Sequence, residues 1–362
     1  MTAQLLEGSA AIAEAMVGAD CRFFTGYPMT PFTEVLEHMA RRLPEVGGVC
    51  LNAESELEAV GMTWGAAAAG VRAATGSTGQ GLSLMQESLA EAALARVPFV
   101  VLNMARAQGD YFQATRGGGH GDYRTPVLAP MDVPEAARVV PEAFDLADEW
   151  RTPVLVLGDY YVAHTYASVD VTPAVTAPRP APSWALDGST SGTGSARMIS
   201  PLGDTKRRDR VGYDLADFYT RAAAHTAAMH AAITPRAEVV DCDDADLVVV
   251  AYGTAAKYVR GAVAALRADG RRVGCVRPIT LYPFPAAAVR SAAAGARLVA
   301  VYENNQGQMV DDVRLALEGA VPTRFVGGLS LDSSGFGIAP DYDVDGLARR
   351  FGAVLDEVEG AR

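Results

Sequence analysis

The chain has 362 residues, enough for two domains with their own cores, and its 49% hydrophobic and 20% charged residues are ordinary for a globular protein. A formal net charge of −12 argues against nucleic acid or an anionic membrane surface as a main partner. The apolar runs have only strand length, so we expect no transmembrane segment. The N-terminus carries Glu7 and no basic region, which is unlike a signal peptide, and we expect a cytoplasmic protein.

The four cysteines are far apart in the sequence and include no CxxC pair: Cys21, Cys50, Cys242 and Cys275. This spacing argues against an iron–sulfur cluster or a zinc knuckle in this chain, and it favours reduced thiols that pack as small hydrophobic residues. We therefore expect the chain to hold no metal of its own.

The first 171 residues alternate between helical and strand patterns. Helical spacing opens the chain in "EGSAAIAEAMVGA", and the predicted strands are "CRFFT", "GGVCLNA", "VRAATG", "PFVVLNMA" and "TPVLVLGD". The last two are nearly continuous apolar runs, as expected of strands buried on both faces of a parallel sheet. Between them, "VPEAARVVPEAFDLADEW" predicts two helical stretches. The alternation predicts an open α/β domain over residues 1–171.

The composition changes after residue 171. Residues 172–196 are rich in Pro, Ser, Thr and Gly and have no periodic apolar face, and a basic segment, "TKRRDR" (205–210), precedes a helical pattern from Leu215 to about Ile233. We assign 172–236 to a linker and connecting helix. Strand and helix patterns then alternate again, which predicts a second, smaller α/β domain over 237–362.

A stiff turn follows the first predicted strand. In "FFTGYPMTPF", Pro28 and Pro31 bracket Met29 and Thr30 before a helical pattern begins. Proline fixes its own φ and restricts the residue before it, so the turn holds the Thr30 hydroxyl at a strand-to-helix junction. Ligands of open α/β sheets bind at the carboxyl ends of the strands, which makes this turn a candidate site.

Two other strand ends each have a structural and a functional interpretation. "GSTGQG" (76–81) is glycine-rich like a phosphate-binding turn, but it lacks the lysine of a P-loop, and a tight strand-to-helix turn explains it better. "NAESELEAVG" places Glu54, Glu56 and Glu58 at a helix entrance, where the helix dipole favours acids. Alternatively, close packing of the following small-residue helix desolvates one carboxylate and makes it an acid–base group.

Arg106 and His120 also have two interpretations each. Arg106 ends the most apolar strand, where its guanidinium would suit a planar carboxylate, or it makes a structural ion pair with Asp110 or Asp122. His120 follows three glycines, and such a lone histidine more often packs or hydrogen-bonds than catalyses. With no second histidine nearby, we expect no metal site there.

Several long motifs, in order along nearly the whole chain, resemble the α subunit of the 2-oxoacid:ferredoxin oxidoreductases, and the branched-chain 2-oxoacid type most closely. The motifs are "GYPMTP", "AESELEAVGMTWGAAAAG", "TGSTGQGLSLMQE", "DYFQATRGGGHGDYRT", "RPITLYPFP" and "GQMVDDVRLA". The resemblance implies a first domain similar to the pyrimidine-binding domain of thiamine-diphosphate enzymes and a second similar to the transketolase C-terminal domain. It implies oxidative decarboxylation of a 2-oxoacid to an acyl-coenzyme A, with a ferredoxin-type electron acceptor.

The resemblance also implies roles for individual residues. Glu56 in "SELEAVG" matches the family's catalytic glutamate, which hydrogen-bonds the aminopyrimidine ring of the cofactor. Thr30 in "YPMTP" matches the threonine that contacts the substrate's carboxylate or carbonyl, and Arg106 matches the arginine that pairs with the 2-oxoacid carboxylate. Tyr27 and Pro28 would line the ring of the cofactor. The stiff turn would thus aim one hydroxyl at the reacting carbonyl.

One expected part of a thiamine-diphosphate site is missing from this sequence. Such enzymes hold Mg²⁺ and the diphosphate with a GDG motif, and no GDG occurs here. We therefore expect a β subunit to supply the diphosphate and Mg²⁺ site and the iron–sulfur cluster. The cofactor would then be shared between chains, in a dimer of heterodimers. Alone, the chain should be inactive.

The segment after Arg106 departs from the family pattern. A longer Gly/Pro-rich loop is typical before "DYFQAT", whereas only Ala107, Gln108 and Gly109 separate Arg106 from Asp110 here. That loop borders the substrate, so a non-oxidative decarboxylase or carboligase subunit is a second hypothesis. A non-catalytic scaffold subunit is a third, and the joint presence of Thr30, Glu56 and Arg106 argues against it.

Overall fold

The computed structural model describes residues 2–171, 179–186, 214–329 and 341–360. Most of the predicted linker, including the basic segment at 205–210, lies outside these ranges. The described residues form two large, mainly parallel sheets with helices packed against them. The predicted α/β class with two open sheets is confirmed.

The first sheet has seven strands, all parallel to their neighbours except one at the edge. In spatial order they are β12 (Thr280–Tyr282), β6 (Val127–Leu128), β7 (Val154–Asp159), β5 (Val100–Ala105), β4 (Ala73–Ser77), β2 (Phe23–Gly26) and β3 (Val49–Asn52). Every residue of β5 and β7 is buried, as their apolar runs predicted, and so is every residue of β4, whereas the edge strand β3 is largely exposed.

The helices of this first part cover both faces of the sheet. They are α1 (Gly8–Gly18), α2 (Thr33–Glu45), α3 (Glu56–Ala68), α4 (Gly79–Ala95), α5 (Tyr111–Thr115), α6 (Val133–Trp150) and α7 (Tyr160–His164). The prediction of two helical stretches before β7 was wrong, because α6 is one helix that contains Pro141. Its buried face, including Val140 and Phe144, packs in the core cluster that also holds the buried residues of α1. This burial offsets the hydrogen bond that proline removes.

Two strands that the sequence pattern did not reveal form a small antiparallel sheet. They are β1 (Thr2–Glu7) and β8 (Tyr166–Val171), paired from Thr2 with Val171 to Glu7 with Tyr166. This antiparallel pairing joins the beginning of the first 171 residues to their end. The domain boundaries at 171 and 237 stay a prediction.

The second sheet has five strands. In spatial order they are β14 (Thr323–Phe325), β13 (Leu298–Val301), β10 (Leu247–Val250), β11 (Val273–Pro278) and the antiparallel β9 (Ala237–Val240). The remaining helices are α8 (Leu215–Ala232), α9 (Gly253–Ala268), α10 (Ala286–Ala293), α11 (Met309–Leu317) and α12 (Val344–Gly360). Although β12 follows β11 directly, it joins the first sheet beside β6.

One continuous apolar core connects the two sheets. It contains residues of α3, α4 and β5 together with residues of β10, β13 and α11. Tyr111 and Tyr252 meet within it, with ring centroids 5.4 Å apart. The two sheets are therefore packed against each other through a buried interface. Among the described helices, none combines the length and the apolar character that crossing a bilayer requires.

Candidate active site

The turn after β2 is anchored by a buried phenylalanine. The ring of Phe32 is fully buried against Gly26 of β2 and Gly76 of β4, where an added Cβ would come within 2.8 and 2.5 Å of ring carbons. The Phe32 N–H donates to the Met29 carbonyl at 2.7 Å and closes the turn. Glycine at these two strand positions is what admits the ring, so the turn geometry is built into the sheet.

This turn presents its predicted site residues at the surface. Tyr27, Pro28 and Thr30 are exposed, Tyr27 with a fractional exposure of 38%. The Thr30–Pro31 peptide bond is cis. The Thr30 carbonyl accepts a hydrogen bond from Arg106 Nε at 3.1 Å, across 76 residues of sequence. The structure thus brings Thr30 and Arg106 together, as parts of one site require.

The ion-pair interpretation of Arg106 is not supported. Within the described ranges, no carboxylate lies within ion-pairing distance of this half-buried guanidinium. Asp122 is exposed, and Asp110 accepts instead from Asn103 Nδ2 and Gln113 Nε2, both at 2.9 Å. Among the described residues, the Arg106 guanidinium is hydrogen-bonded to the Thr30 carbonyl, and its other N–H groups can bind a carboxylate.

The three acids at the start of α3 are not equivalent. Glu54 and Glu58 are exposed, whereas Glu56 is only 2% exposed. Ser77, at the end of β4, donates its hydroxyl to Glu56 Oε1 at 2.7 Å. Oε2 accepts no hydrogen bond from the described residues. Glu56 is thus a fixed, desolvated carboxylate with one oxygen available to a ligand.

Local capping explains why Glu56 turns inward and Glu58 does not. Ser55 is the N-cap of α3, and its hydroxyl oxygen accepts from the Leu57 N–H at 3.2 Å. The same hydroxyl donates to Glu58, which lowers the pKa of that exposed carboxyl group. Ser55 and Glu58 therefore serve the helix start, and Glu56, on the buried face, is left for another role.

Two carboxylates fill the turn before α4. A Cβ on Gly79 would lie 2.4 Å from Asp110 Oδ1, and one on Gly81 would lie 2.4 Å from Glu56 Oε1. Burial raises the pKa of Asp110. Negative charge at this helix start repels a phosphate, so the structural interpretation of "GSTGQG" is the better one. Its glycines give the two carboxylates room.

Ser77 and Asp110 are candidate site residues that the sequence pattern did not single out as such. Ser77 pairs in register with Asn103 on the neighbouring strand β5, and Asn103 holds Asp110. The signal available in the sequence was Asn103 itself, a polar residue in the apolar run "VVLNMA". Glu56 and Asp110 are thus held by residues of adjacent strands at the same edge of the sheet.

His120 and the four cysteines do not belong to the group formed by Thr30, Glu56 and Arg106. His120 Nε2 is 3.1 Å from Glu91 Oε1 at an exposed position, in line with a structural role. Burial raises the pKa of Cys21 and Cys275 to about 12 and that of Cys50 and Cys242 to about 11. Among the described residues, no group of three His, Cys, Asp or Glu side chains is arranged to hold a metal.

A cavity in the described part of the chain lies elsewhere. It has a volume of about 610 Å³ and is lined by residues at the amino ends of the strands, among them Arg22, Gly47, Arg72 and Pro98. Glu56, Thr30 and Arg106 belong to the carboxyl ends, at the opposite edge of the sheet. The chemistry-bearing residues are therefore at the edge where open α/β sheets bind ligands, and the cavity is not their site.

Two family models match the chain. Residues 14–185 match "Pyruvate flavodoxin/ferredoxin oxidoreductase, thiamine diP-bdg", and residues 245–333 match "Pyruvate:ferredoxin oxidoreductase core domain II". The first match contains Thr30, Glu56 and Arg106. The match supports a domain of the thiamine-diphosphate-binding type for the first sheet.

Two curated relatives cover most of the chain. Ketoisovalerate oxidoreductase subunit VorB of Methanothermobacter thermautotrophicus is 38% identical over 327 residues, which are 87% of this chain and 90% of the relative. 2-Oxoglutarate synthase subunit KorA of Methanothermobacter marburgensis is 34% identical over 343 residues, or 87% and 91%. Both are named as subunits, which indicates a multi-subunit assembly.

Solved structures agree with the fold. A 2-oxoglutarate:ferredoxin oxidoreductase from Magnetococcus marinus superposes with a TM-score of 0.80 at 24% identity, over 98% of this chain and 65% of that chain. A split-gene transketolase, described as an inactive β4 tetramer, gives a TM-score of 0.58 at 14% identity, over 97% and 98%. These likenesses concern the fold, whereas the curated relatives concern the family. The identity and coverage of the curated relatives show that this chain belongs to the 2-oxoacid:ferredoxin oxidoreductase family.

Proposed function

We propose that this chain is the α subunit of a thiamine-diphosphate-dependent 2-oxoacid oxidoreductase, which converts a 2-oxoacid to an acyl-coenzyme A and passes electrons to a ferredoxin-type acceptor. The observation that carries the proposal is Glu56, a carboxylate that is 2% exposed and oriented through Oε1 by Ser77. The relatives named as ketoisovalerate and 2-oxoglutarate enzymes support a 2-oxoacid as substrate.

The residues fit the pyrimidine half of the cofactor. Glu56 Oε2 has no partner among the described residues and would share a proton with the aminopyrimidine ring, while the exposed Tyr27 and Pro28 offer a surface for that ring. When bound, thiamine diphosphate supplies the nucleophile for the 2-oxo carbon and an electron sink after decarboxylation. Burial of Glu56 would strengthen a hydrogen bond to that ring, because solvent would not screen it.

The substrate would lie between Thr30 and Arg106. The guanidinium of Arg106 would bind the carboxylate through two N–H groups in its planar fork. Its Nε bond to the Thr30 carbonyl keeps the turn and the arginine together, so the Thr30 hydroxyl would be within reach of the same substrate. This arrangement would position the 2-oxoacid with Arg106 as the cation for its carboxylate.

A partner chain is part of the proposal. This sequence has no GDG motif and only four scattered cysteines, so a β subunit would supply Mg²⁺, the diphosphate site and the iron–sulfur cluster, in a dimer of heterodimers. The exposed side of α3 and α4 supports such a partner. Leu57, Met62 and Leu84 are 46%, 41% and 53% exposed, and a Cβ at Gly61 or Gly65 would meet no atom within 4 Å. An apolar face with bare glycines suits close helix packing.

The short segment after Arg106 favours a second candidate, a non-oxidative decarboxylase or carboligase subunit. Only Ala107, Gln108 and Gly109 lead from Arg106 to Asp110, so a second substrate or a proton would have freer access. The products distinguish the two activities. The oxidoreductase needs coenzyme A and an electron acceptor, whereas the alternative forms an aldehyde or a hydroxyketone without either.

The test is an assay of the purified complex of this chain with its proposed β subunit. We expect 2-oxoacid-dependent reduction of a viologen dye that requires coenzyme A. Aldehyde or hydroxyketone formation without dye reduction would establish the second candidate. A stable complex that binds thiamine diphosphate but consumes no 2-oxoacid under either condition would leave only a scaffold role.

A further inference from the structure

The second sheet holds the segment that follows Arg106. Gln108 is 5% exposed, and its side chain bonds twice across the interface: Nε2 donates to the Tyr252 carbonyl at 3.0 Å, and Oε1 accepts from the Asn304 N–H at 2.8 Å. Its backbone N–H donates to the Asn304 carbonyl at 3.1 Å, and its carbonyl accepts from Asn305 Nδ2 at 2.8 Å. Gln108 of the first part is thus hydrogen-bonded to the second part through both its side chain and its backbone.

The residues after Gln108 extend the same attachment. Gln308 donates through Nε2 to the Gly109 carbonyl at 2.8 Å and accepts from the Phe112 N–H at 2.7 Å. Asp312 accepts from the Tyr111 hydroxyl at 2.6 Å and pairs with an arginine at 2.8 Å. Several residues between Gln108 and Arg116 are therefore hydrogen-bonded either to the loop before α11 or to its first turns.

The attachment surface is itself rigid. Glu303 is fully buried, and its carboxylate accepts from the N–H groups of Met309 at 2.7 Å and Val310 at 3.0 Å and from Asn305 Nδ2 at 2.9 Å. A buried acceptor satisfied by the first N–H groups of a helix cannot be displaced cheaply. The loop that grips Gln108 is thus part of a stable cap on α11.

We propose that Gln108 is a positioning residue, through which the second sheet fixes Arg106 in the orientation that binds the substrate carboxylate. This rests on the proposed function of Arg106. Within the described ranges, the guanidinium makes one hydrogen bond, to the Thr30 carbonyl, and it lies at the end of a long side chain with many rotamers. Its placement therefore depends on the backbone, and Gln108 fixes that backbone two residues away. The amide side chain of Gln108 both donates to the Tyr252 carbonyl and accepts from the Asn304 N–H.

The short segment makes this coupling direct. Only Ala107 separates Arg106 from Gln108. Movement of Gln108 is therefore transmitted to the arginine, whereas a longer loop would absorb it. The small cavity beside Gln108, lined by Ala105, Asp159 and Tyr252 among others, has a volume of only about 10 Å³. The Gln108 side chain is thus closely packed.

The experiment uses the complex with the β subunit and the variant Gln108→Met, which keeps the side-chain length and removes both side-chain bonds. Thr254→Val is the matched control, because Thr254 Oγ1 donates across the same interface to Asp159 at 2.9 Å without contacting the Arg106 segment. Steady-state kinetics in the 2-oxoacid give KM and kcat. Hydrogen exchange by mass spectrometry follows residues 106–116 in both variants.

We expect Gln108→Met to raise KM for the 2-oxoacid about ten-fold with kcat changed less than about two-fold, and to speed exchange in 106–116. Thr254→Val should do neither. In an Arg106→Ala background, Gln108→Met should raise KM no further, since it acts through the arginine. If Arg106→Lys raises KM and Gln108→Met does not, the positioning role is refuted and the proposed function stands. If neither raises KM, Arg106 does not bind the substrate, and both its substrate assignment and the positioning role of Gln108 are refuted.

Discussion

The exchange of Glu56 for glutamine tests the central residue of the proposed function. Glutamine is nearly isosteric, and its Oε1 still accepts from the Ser77 hydroxyl, which lies 2.7 Å from Glu56 Oε1. Gly81 provides the room for this contact, and the variant keeps it. We therefore expect Glu56→Gln to fold and to assemble with its partner as the parent does.

The loss is confined to proton sharing at the second oxygen. In the parent, Oε2 is free of partners among the described residues, whereas the variant places an amide N–H₂ there, which cannot take up a proton. Removal of a positioned acid–base group slows a reaction by roughly two to four orders of magnitude. This corresponds to about 3–5.5 kcal/mol of activation free energy, and at 2% exposure little of it is screened by solvent.

The assay is exchange of the C2 proton of bound thiamine diphosphate for deuterium, quenched in acid and measured by NMR. It reports on Glu56 whatever the later electron acceptor is. Glu54→Gln and Glu58→Gln are matched controls, because both acids are exposed at the same helix start. A dipole contribution is worth well under ~1 kcal/mol each, so the controls should stay within about five-fold of the parent. Parental exchange in all three variants would refute the assignment of Glu56.

Three further predictions concern the substrate, the cofactor and the partner. Arg106→Lys keeps the charge but loses the planar fork. The transition-state stabilisation calculated from kcat/KM should therefore decrease by about 1–3 kcal/mol with cofactor affinity unchanged, and unchanged kinetics would contradict the substrate assignment. The isolated chain should bind thiamine diphosphate weakly, because it has no GDG motif, and calorimetry showing tight, Mg²⁺-dependent binding would rule this out. Met62→Glu, at a position 41% exposed, should leave the thermal stability of the lone chain within about 0.5 kcal/mol but weaken assembly with the β subunit in sedimentation velocity, whereas Leu315→Glu on α11, 70% exposed, should not.

Local pattern was sufficient for most elements of the fold. The apolar runs of β5 and β7 predicted fully buried parallel strands, and the structure has them in the centre of the first sheet. Such runs identify themselves because both faces of the strand are covered. The strands β1 and β8 were not predicted from the sequence. In the described structure they pair only with each other, and most of β8 is at least partly exposed to solvent. The helix α6 was divided in the prediction, because the packing that stabilises it around Pro141 is not local.

The candidate site divides in the same way. Motifs and spacing identified Thr30, Glu56 and Arg106 and placed them at strand ends, because backbone stiffness and strand order are properties of neighbouring residues. They did not distinguish Glu56 from Glu54 and Glu58, or decide between an ion pair and a free guanidinium for Arg106. Burial against Gly81, the hydroxyl of Ser77 and the carbonyl of Thr30 come from other strands and helices.

The sequence by itself thus determined the α/β alternation, the family and the identity of the candidate residues, since each is written in adjacent positions and in motif order. Only the tertiary structure decided which acid is desolvated, what holds Arg106, and that Gln108 joins the two sheets behind it. Gln108 and Asn304 are 196 residues apart and meet at 2.8 Å. Desolvation and hydrogen-bond partnership depend on what surrounds a side chain, and that is set by the packing of distant segments.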